Sequence, residues 1–205
     1  MKSFYLLTVR NVEIDANGQA YYGTDYDMQD ACPVCGTGAI AKGPRYMSGL
    51  NKKRKGLFQA GYGELLIEEK LAEKLLLKGV EGLAEVYNVK GQKMPFMEIR
   101  GEATLPPFSS ETTGYEIGKQ CLSCKRDGYF DIPHVPLQLV YENLAANLLE
   151  KNILITYERF GYSKLRQPFK ESGFAEPKFI VAEDLKDFFE REKVRGVEFE
   201  PVTML

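Results

Sequence analysis

The sequence predicts an α+β protein with a mostly antiparallel or mixed sheet, two to three short helices and a clip made of four cysteines. Short apolar runs of strand length, separated by glycine, proline and asparagine turn signals, predict the sheet. Two amphipathic segments predict the longer helices. Two Cys-x-x-Cys couplets far apart in the chain predict the clip. A chain of 205 residues can bury one sizeable core, so we expect a single domain over residues 1–205.

The first half of the chain begins with a predicted strand at residues 3–9, which are apolar and partly β-branched or aromatic. Asn17-Gly18 is a turn signal across which residues 19–22 are expected to pair back. Residues 25–30 are polar and acidic, and residues 43–63 are rich in glycine and lysine. We therefore predict loops for both.

The clearest helix follows, because leucines recur at helical spacing over residues 71–76 with charged residues on the other face. Gly79 is expected to end this helix in the left-handed backbone conformation that glycine tolerates. Residues 83–89 and 95–100 are predicted to form two paired strands, since the first is apolar and the second alternates apolar and polar side chains.

The second half is more irregular. Residues 101–118 and 159–178 are rich in glycine, proline or serine and are predicted to be loops. Strands are predicted at residues 137–141 and 153–157, with a short helix at residues 142–150 between them.

The last segment has the same pattern as the middle one. Units at about residues 65–89 and 179–202 both read as an apolar pair, an acidic helix start, a Val-x-Gly turn and a strand, at a constant offset of 114 positions. In the second unit the helix is predicted at residues 183–192 and the strand at residues 197–202. The similarity indicates either a repeat or two units selected by the same packing needs. The cysteine couplets do not share the offset, so duplication of the whole chain is not supported.

The four cysteines of the chain form the couplets Cys32-Pro-Val-Cys35 and Cys121-Leu-Ser-Cys124. Two such couplets supply the four thiolates of a tetrahedral zinc site, and a filled shell favours a structural ion over a catalytic one. We therefore predict one structural zinc per chain. The long insert between the couplets indicates a zinc-ribbon-like clip inside a larger domain.

Two alternatives to zinc remain open. A couplet can cycle between dithiol and disulfide, although the glycines at positions 36 and 38 disfavour the helix that a thioredoxin-like site needs after Cys35. The cysteines can also serve packing alone.

The rest of the sequence predicts no catalytic or organic-cofactor site. His134 is the only histidine, lies among prolines and is expected to be a loop or edge residue that binds no metal. No nucleophile triad, phosphate-binding glycine loop or His-Glu-x-x-His pattern is present, so we predict that the protein is not an enzyme.

Composition adds limits on location and partners. The formal net charge of −2 gives no overall basic field, which makes nucleic acid an unlikely partner. No apolar run approaches the roughly 20 residues that span a bilayer, and the N-terminus reads as a strand and not as a signal peptide. We expect no membrane partner and a cytoplasmic location, where paired cysteines more often bind metal than form disulfides.

The chain resembles the double-CXXCG proteins, a group of bacterial polymorphic-toxin immunity proteins. The resemblance rests on the spacing of the couplets, on residues 65–89 and on the ending at residues 179–202, where a helix leads to Arg195-Gly196-Val197-Glu198-Phe199-Glu200-Pro201-Val202. Lys125 departs from the pattern, which has glycine after the second couplet. The resemblance implies a protein that binds a cognate toxin and blocks it.

Other functions are kept as alternatives. A zinc-ribbon module that binds nucleic acid or has a regulatory role gains from the basic run at residues 52–55 and from the many aromatic side chains, although a solvated loop explains the run better. A thiol redox protein is the less favoured option.

Acidic helix faces can meet a basic toxin groove, but ordinary solvation is the better explanation of the carboxylates at positions 68, 69, 73, 183, 187 and 190.

Overall fold

A computed structural model of the chain describes residues 2–16, 18, 22–61, 63–163 and 175–205. The described residues form an α+β fold with mostly mixed β-sheets and three short helices, as predicted. The helices are α1 Glu69–Leu76, α2 Ala146–Leu149 and α3 Glu183–Arg191. The strands are β1 Phe4–Val9, β2 Val12–Glu13, β3 Asp25–Asp27, β4 Ile40–Lys42, β5 Arg45–Met47, β6 Leu57–Ala60, β7 Leu65–Glu68, β8 Leu83–Asn88, β9 Lys93–Ile99, β10 Ala103–Thr104, β11 Tyr115–Ile117, β12 Tyr129–Asp131, β13 Val140–Tyr141, β14 Ile153–Ile155, β15 Phe179–Ala182 and β16 Val197–Met204.

Two six-stranded sheets carry the fold. The first sheet has the order β10-β14-β15-β1-β16-β13 and the second has the order β2-β6-β7-β9-β8-β5. The inner strands of both sheets pair antiparallel, whereas the edge strands β10, β13, β2 and β5 pair parallel with their neighbours. Two further ribbons, β3-β4 and β11-β12, are antiparallel and stand apart from the sheets.

The two similar sequence units have the same topology. In the first unit β7 and β8 flank β9, and in the second β15 and β16 flank β1, with antiparallel pairing in every case. After the helices, Gly79 and Lys193 both have positive φ, at 77° and 54°, and Gly82 and Gly196 follow at 73° and 74°. Each unit therefore places its helix between two parallel strands that are separated by a third. Duplication as the origin of the units stays a prediction.

A shared apolar core joins the sheets to α1 and α3. It takes side chains from one face of each sheet and from the inner faces of both helices. The buried members are Leu7, Leu57, Leu65, Ile67, Ala72, Leu75, Val80, Ile99, Ile153, Val181, Leu185, Phe188 and Phe189. Two smaller clusters cover the opposite faces, one on each sheet. The shared core therefore joins layers that are distant in sequence.

Several predicted loops contain strands. Residues 25–30 include β3, residues 43–63 include β5 and β6, and residues 101–118 include β10 and β11. The loop prediction was wrong at these places. The strands there are two to four residues long, and most of them pair with partners that lie far away in sequence, so no local alternation marks them. The other predicted helices and strands are confirmed with shifted ends.

Two predictions fall partly outside the described residues. Asn17 and residues 19–21, which carry the predicted turn and return strand, are outside, as are residues 164–174 of the predicted loop at 159–178. In α1 the inward side differs slightly from expectation, because Ala72 and Leu75 are buried while Leu76 is half exposed. None of the helices in the described residues is long and apolar enough to cross a membrane.

Candidate metal centre

Each cysteine couplet lies at the tip of one of the two-stranded ribbons. Cys32 and Cys35 lie in the connection between β3 and β4, and Cys121 and Cys124 lie in the connection between β11 and β12. The strands hold the two ends of each connection together, and the tips of the two ribbons meet. The fold thus brings four cysteines from two distant parts of the sequence to one point.

The four sulfur atoms form a compact cluster. The Sγ atoms of Cys32 and Cys121 are 3.9 Å apart, and those of Cys35 and Cys124 are 3.6 Å apart. All four Sγ atoms lie within 4.8 Å of one another. A tetrahedral zinc ion with Zn–S bonds of about 2.3 Å separates its sulfurs by about 3.8 Å, whereas a disulfide needs about 2.05 Å. The four thiols are free and can hold one metal ion.

The two couplets have the same backbone turn. The Gly36 N–H donates to the Cys32 carbonyl at 2.8 Å, and the Lys125 N–H donates to the Cys121 carbonyl at 3.0 Å. Both residues after the couplets have positive φ, 78° for Gly36 and 53° for Lys125. Lys125 therefore occupies a conformation that glycine adopts without strain and that a lysine adopts at a cost.

Relief of this strain gives a first prediction. Lys125→Gly is expected to be more stable than Lys125→Ala by about 1 kcal/mol, because both variants remove the charge and only glycine relaxes the backbone. Urea unfolding of the two metal-loaded variants measures the difference. Equal stability would show that the left-handed conformation at this position carries no cost.

Backbone hydrogen bonds and burial shift the pKa values of the cysteine thiols in opposite directions. Burial opposes ionisation of Cys32, but the N–H groups of Cys35 and Val34 outweigh it and lower the pKa of Cys32 to about 6. Burial raises the pKa of Cys35 to about 12 and also raises the pKa of Cys124. Cys32 is therefore the cysteine whose thiolate these contacts favour, whereas Cys35 and Cys124 release their protons to solvent when a metal ion binds.

Buried polar side chains form hydrogen bonds with both couplets. The Asp127 carboxylate accepts hydrogen bonds from the N–H of Cys121 at 2.8 Å and from the N–H of Ser163 at 3.3 Å. The Thr37 hydroxyl lies 3.0 Å from Cys35 Sγ and donates to the Ser163 hydroxyl at 2.8 Å. Asp127 and Thr37 are both buried. The sequence prediction did not place Asp127 at the site, and a carboxylate six residues after Cys121 was the available signal.

Other residues singled out in the sequence lie away from the cluster. His134 is in an exposed turn with φ 65° and is not among the four clustered ligands. In the basic run, Lys55 pairs with Glu68 at 2.8 Å and Arg54 pairs with Glu13 at 3.6 Å.

The acidic helix faces also have local partners. Glu69 lies 3.0 Å from the Lys93 amine, and Glu190 lies 3.1 Å from the Lys186 amine. These pairs neutralise part of the acidic surface, which agrees with ordinary solvated helix faces.

No protein-family model matches the chain, and a search of curated proteins found no match. The four-cysteine cluster is consistent with paired Cys-x-x-Cys couplets. The resemblance to the double-CXXCG proteins therefore rests on the couplets and on the sequence segments around them.

Proposed function

We propose that the protein is an immunity protein that binds and neutralises a cognate bacterial toxin domain and is held in shape by one structural zinc ion. The observation that carries the proposal is the cluster of four thiols at the tips of two ribbons. It is the arrangement that the double-couplet resemblance leads one to expect. The protein is proposed to act by binding and not as an enzyme.

Zinc is the metal that the ligand set favours. Soft thiolates select zinc, copper(I) or iron–sulfur clusters, and a compact S₄ tetrahedron is typical of structural zinc. Four sulfur ligands leave no coordination position for a water, so the ion supplies shape and no Lewis-acid chemistry. Bound zinc would join two ribbons that are separated in sequence by β5 to β10 and α1, which include the first of the two similar units.

Neutralisation is tested by co-expression. The gene beside this one is expected to encode a secreted protein with a variable C-terminal domain, and that domain is expected to arrest growth when expressed alone. Co-expression with this chain should restore growth, and the two proteins should purify as one complex. An unrelated toxin domain is the control and should stay toxic. Absence of both protection and a complex would reject the proposal.

The same purified protein separates the alternatives. Metal analysis should find about one zinc per chain, since one tetrahedral site is available. Salt-sensitive retention of nucleic acid would instead support the nucleic-acid module. A metal-free protein whose thiols cycle reversibly with disulfides would support the redox protein.

A further inference from the structure

Two arginines line an open cavity next to the metal centre. The cavity has a volume of about 500 Å³, and the charged residues that line it are Arg126, Arg159 and the exposed Asp30. Leu105, Pro106 and Leu148 give it apolar walls. A cavity with apolar walls and a few convergent polar groups is the usual form of a small-molecule site.

The positive charge of these arginines is poorly balanced. Neither guanidinium forms an ion pair with a carboxylate in the part of the chain that the structure describes. Nearby Arg45 and Arg100, by contrast, both pair with the carboxylate of Glu98. Two buried or half-buried cations without paired anions are costly, because burial removes the water that would stabilise them.

Local contacts fix the two arginines side by side. The Arg159 N–H donates to the Arg126 carbonyl at 2.7 Å. The Arg126 guanidinium lies 4.2 Å from the ring centroid of Tyr157, and its Nη1 donates to the Asp30 carbonyl at 3.5 Å. Its Nε is buried and has no hydrogen-bond partner among the described residues. The Arg159 Nη1 donates to the Thr156 carbonyl. Arg126 is thus oriented by its neighbours while one of its donors remains unused.

The electrostatics agree with this geometry. Burial, followed by the charge of Arg126, lowers the pKa of Arg159 to about 10. Glu176 and Glu158 are the neighbouring carboxylates, and burial raises the pKa of Glu176 to about 8. The Oε1 atom of Glu158 accepts the N–H of Phe108, and its Oε2 has no hydrogen-bond partner among the described residues. Burial raises the pKa of Glu158, so its counter-charge is weakened.

We propose that this cavity binds a small molecule that carries a carboxylate or phosphate group on an apolar body. The oxyanion would accept charge-assisted hydrogen bonds from Arg126 and Arg159 and relieve their repulsion. The apolar body would contact Leu105, Pro106 and Leu148. Residues of this chain alone line the cavity, so the small molecule is expected to bind whether or not the protein binds a toxin.

Calorimetric titration of the zinc-loaded protein tests the proposal. The probes are phenyl phosphate, benzoate, inorganic phosphate and the neutral analogue benzyl alcohol, all at equal ionic strength. Phenyl phosphate or benzoate should bind saturably with a Kd below about 1 mM. Inorganic phosphate should bind more weakly, because it leaves the apolar walls uncovered, and benzyl alcohol should not bind. The tighter of the two aromatic anions tells whether phosphate or carboxylate is preferred.

Variants link binding to the arginines. Arg126→Gln should weaken the aromatic anion about tenfold, because it removes a charged donor. Arg126→Lys, which keeps the charge, should weaken it less, and Arg10→Gln, which changes an exposed arginine paired with Glu198, should leave it unchanged. Zinc content confirms that each variant retains its fold. Absence of saturable binding by either aromatic anion up to about 10 mM, or equal binding by the wild type and Arg126→Gln, would overturn the proposal.

Discussion

Cys121→Ser is expected to release the metal and to lower the free energy of unfolding by at least about 3 kcal/mol. A serine hydroxyl stays protonated at neutral pH and is a poor zinc ligand, so the site falls to three thiolates. Two-stranded ribbons are marginally stable alone. The tips of the β3-β4 and β11-β12 ribbons make one direct hydrogen bond among the described residues besides the contacts between sulfurs. It is the long bond that Arg126 donates to the Asp30 carbonyl. Loss of the ion therefore leaves both tips weakly held.

The matched control lies one residue away. Leu122 is 93% exposed at the tip of the same turn, so Leu122→Ser should change the free energy of unfolding by no more than about 0.5 kcal/mol. Because the chain has no tryptophan, far-ultraviolet circular dichroism or tyrosine fluorescence should follow the urea transition. Mass spectrometry after gel filtration gives the metal content. A Cys121→Ser protein that loses zinc and keeps the stability of the wild type would show that the four-cysteine clip does not support the fold.

Local signals explain what the sequence predicts well. The helices α1 and α3 follow apolar spacing and acidic first turns, and β1 follows a β-branched and aromatic run. The pairing of sulfurs within each couplet follows from motif spacing, because the Cys-x-x-Cys turn brings two sulfurs together wherever it lies in the chain. For these features the information is contained in a few neighbouring residues.

The strand β3, which leads into the first couplet, lacks such signals. β3 has the sequence Asp-Tyr-Asp, and it pairs with β4 across the first couplet. It is held by the pairing and by Tyr26, whose hydroxyl accepts a hydrogen bond from Arg45 Nη1 at 2.6 Å, whereas the exposed Asp27–Lys42 ion pair at 3.1 Å adds little. A sequence reading based on apolar periodicity assigns such a strand to a loop.

Buried charge is the other feature that sequence patterns miss. Glu98 is a charged residue of the alternating segment 95–100, yet it shares the buried face of β9 with Met94 and Phe96. Its partner Arg45 lies 53 positions away on β5. Only the three-dimensional packing of the second sheet brings the guanidinium to the carboxylate, so neither residue is marked in the sequence.

Glu98→Gln is expected to lower the free energy of unfolding by about 3–5 kcal/mol, because it leaves buried guanidinium charge uncompensated. Glu98 is 3% exposed, and its Oε1 accepts from Arg45 Nε at 2.9 Å and from Arg45 Nη2. Its Oε2 accepts from Arg100 Nε at 2.6 Å. A glutamine of the same shape keeps the volume but turns one acceptor into an amide donor that faces an arginine. Urea unfolding at neutral pH measures the loss.

The exposed pair Arg10–Glu198 is a matched control for the buried one. The charged atoms of Arg10 and Glu198 are 2.7 Å apart, but 45% of the Glu198 side chain is exposed, so Glu198→Gln should lower the free energy of unfolding by only about 0.2–1 kcal/mol.

Acid should separate the buried pair from the exposed pair further. Burial opposes ionisation of Glu98, but Arg45 and Arg100 outweigh it and lower its pKa below the ordinary 4.5. The stability that ionised Glu98 provides is therefore complete above pH 4.5 and is lost as pH falls through the lowered pKa. The difference between wild type and Glu98→Gln should accordingly shrink in acid. A cost at neutral pH as small as that of Glu198→Gln would show that Arg45 and Arg100 find other partners or water when the carboxylate is removed.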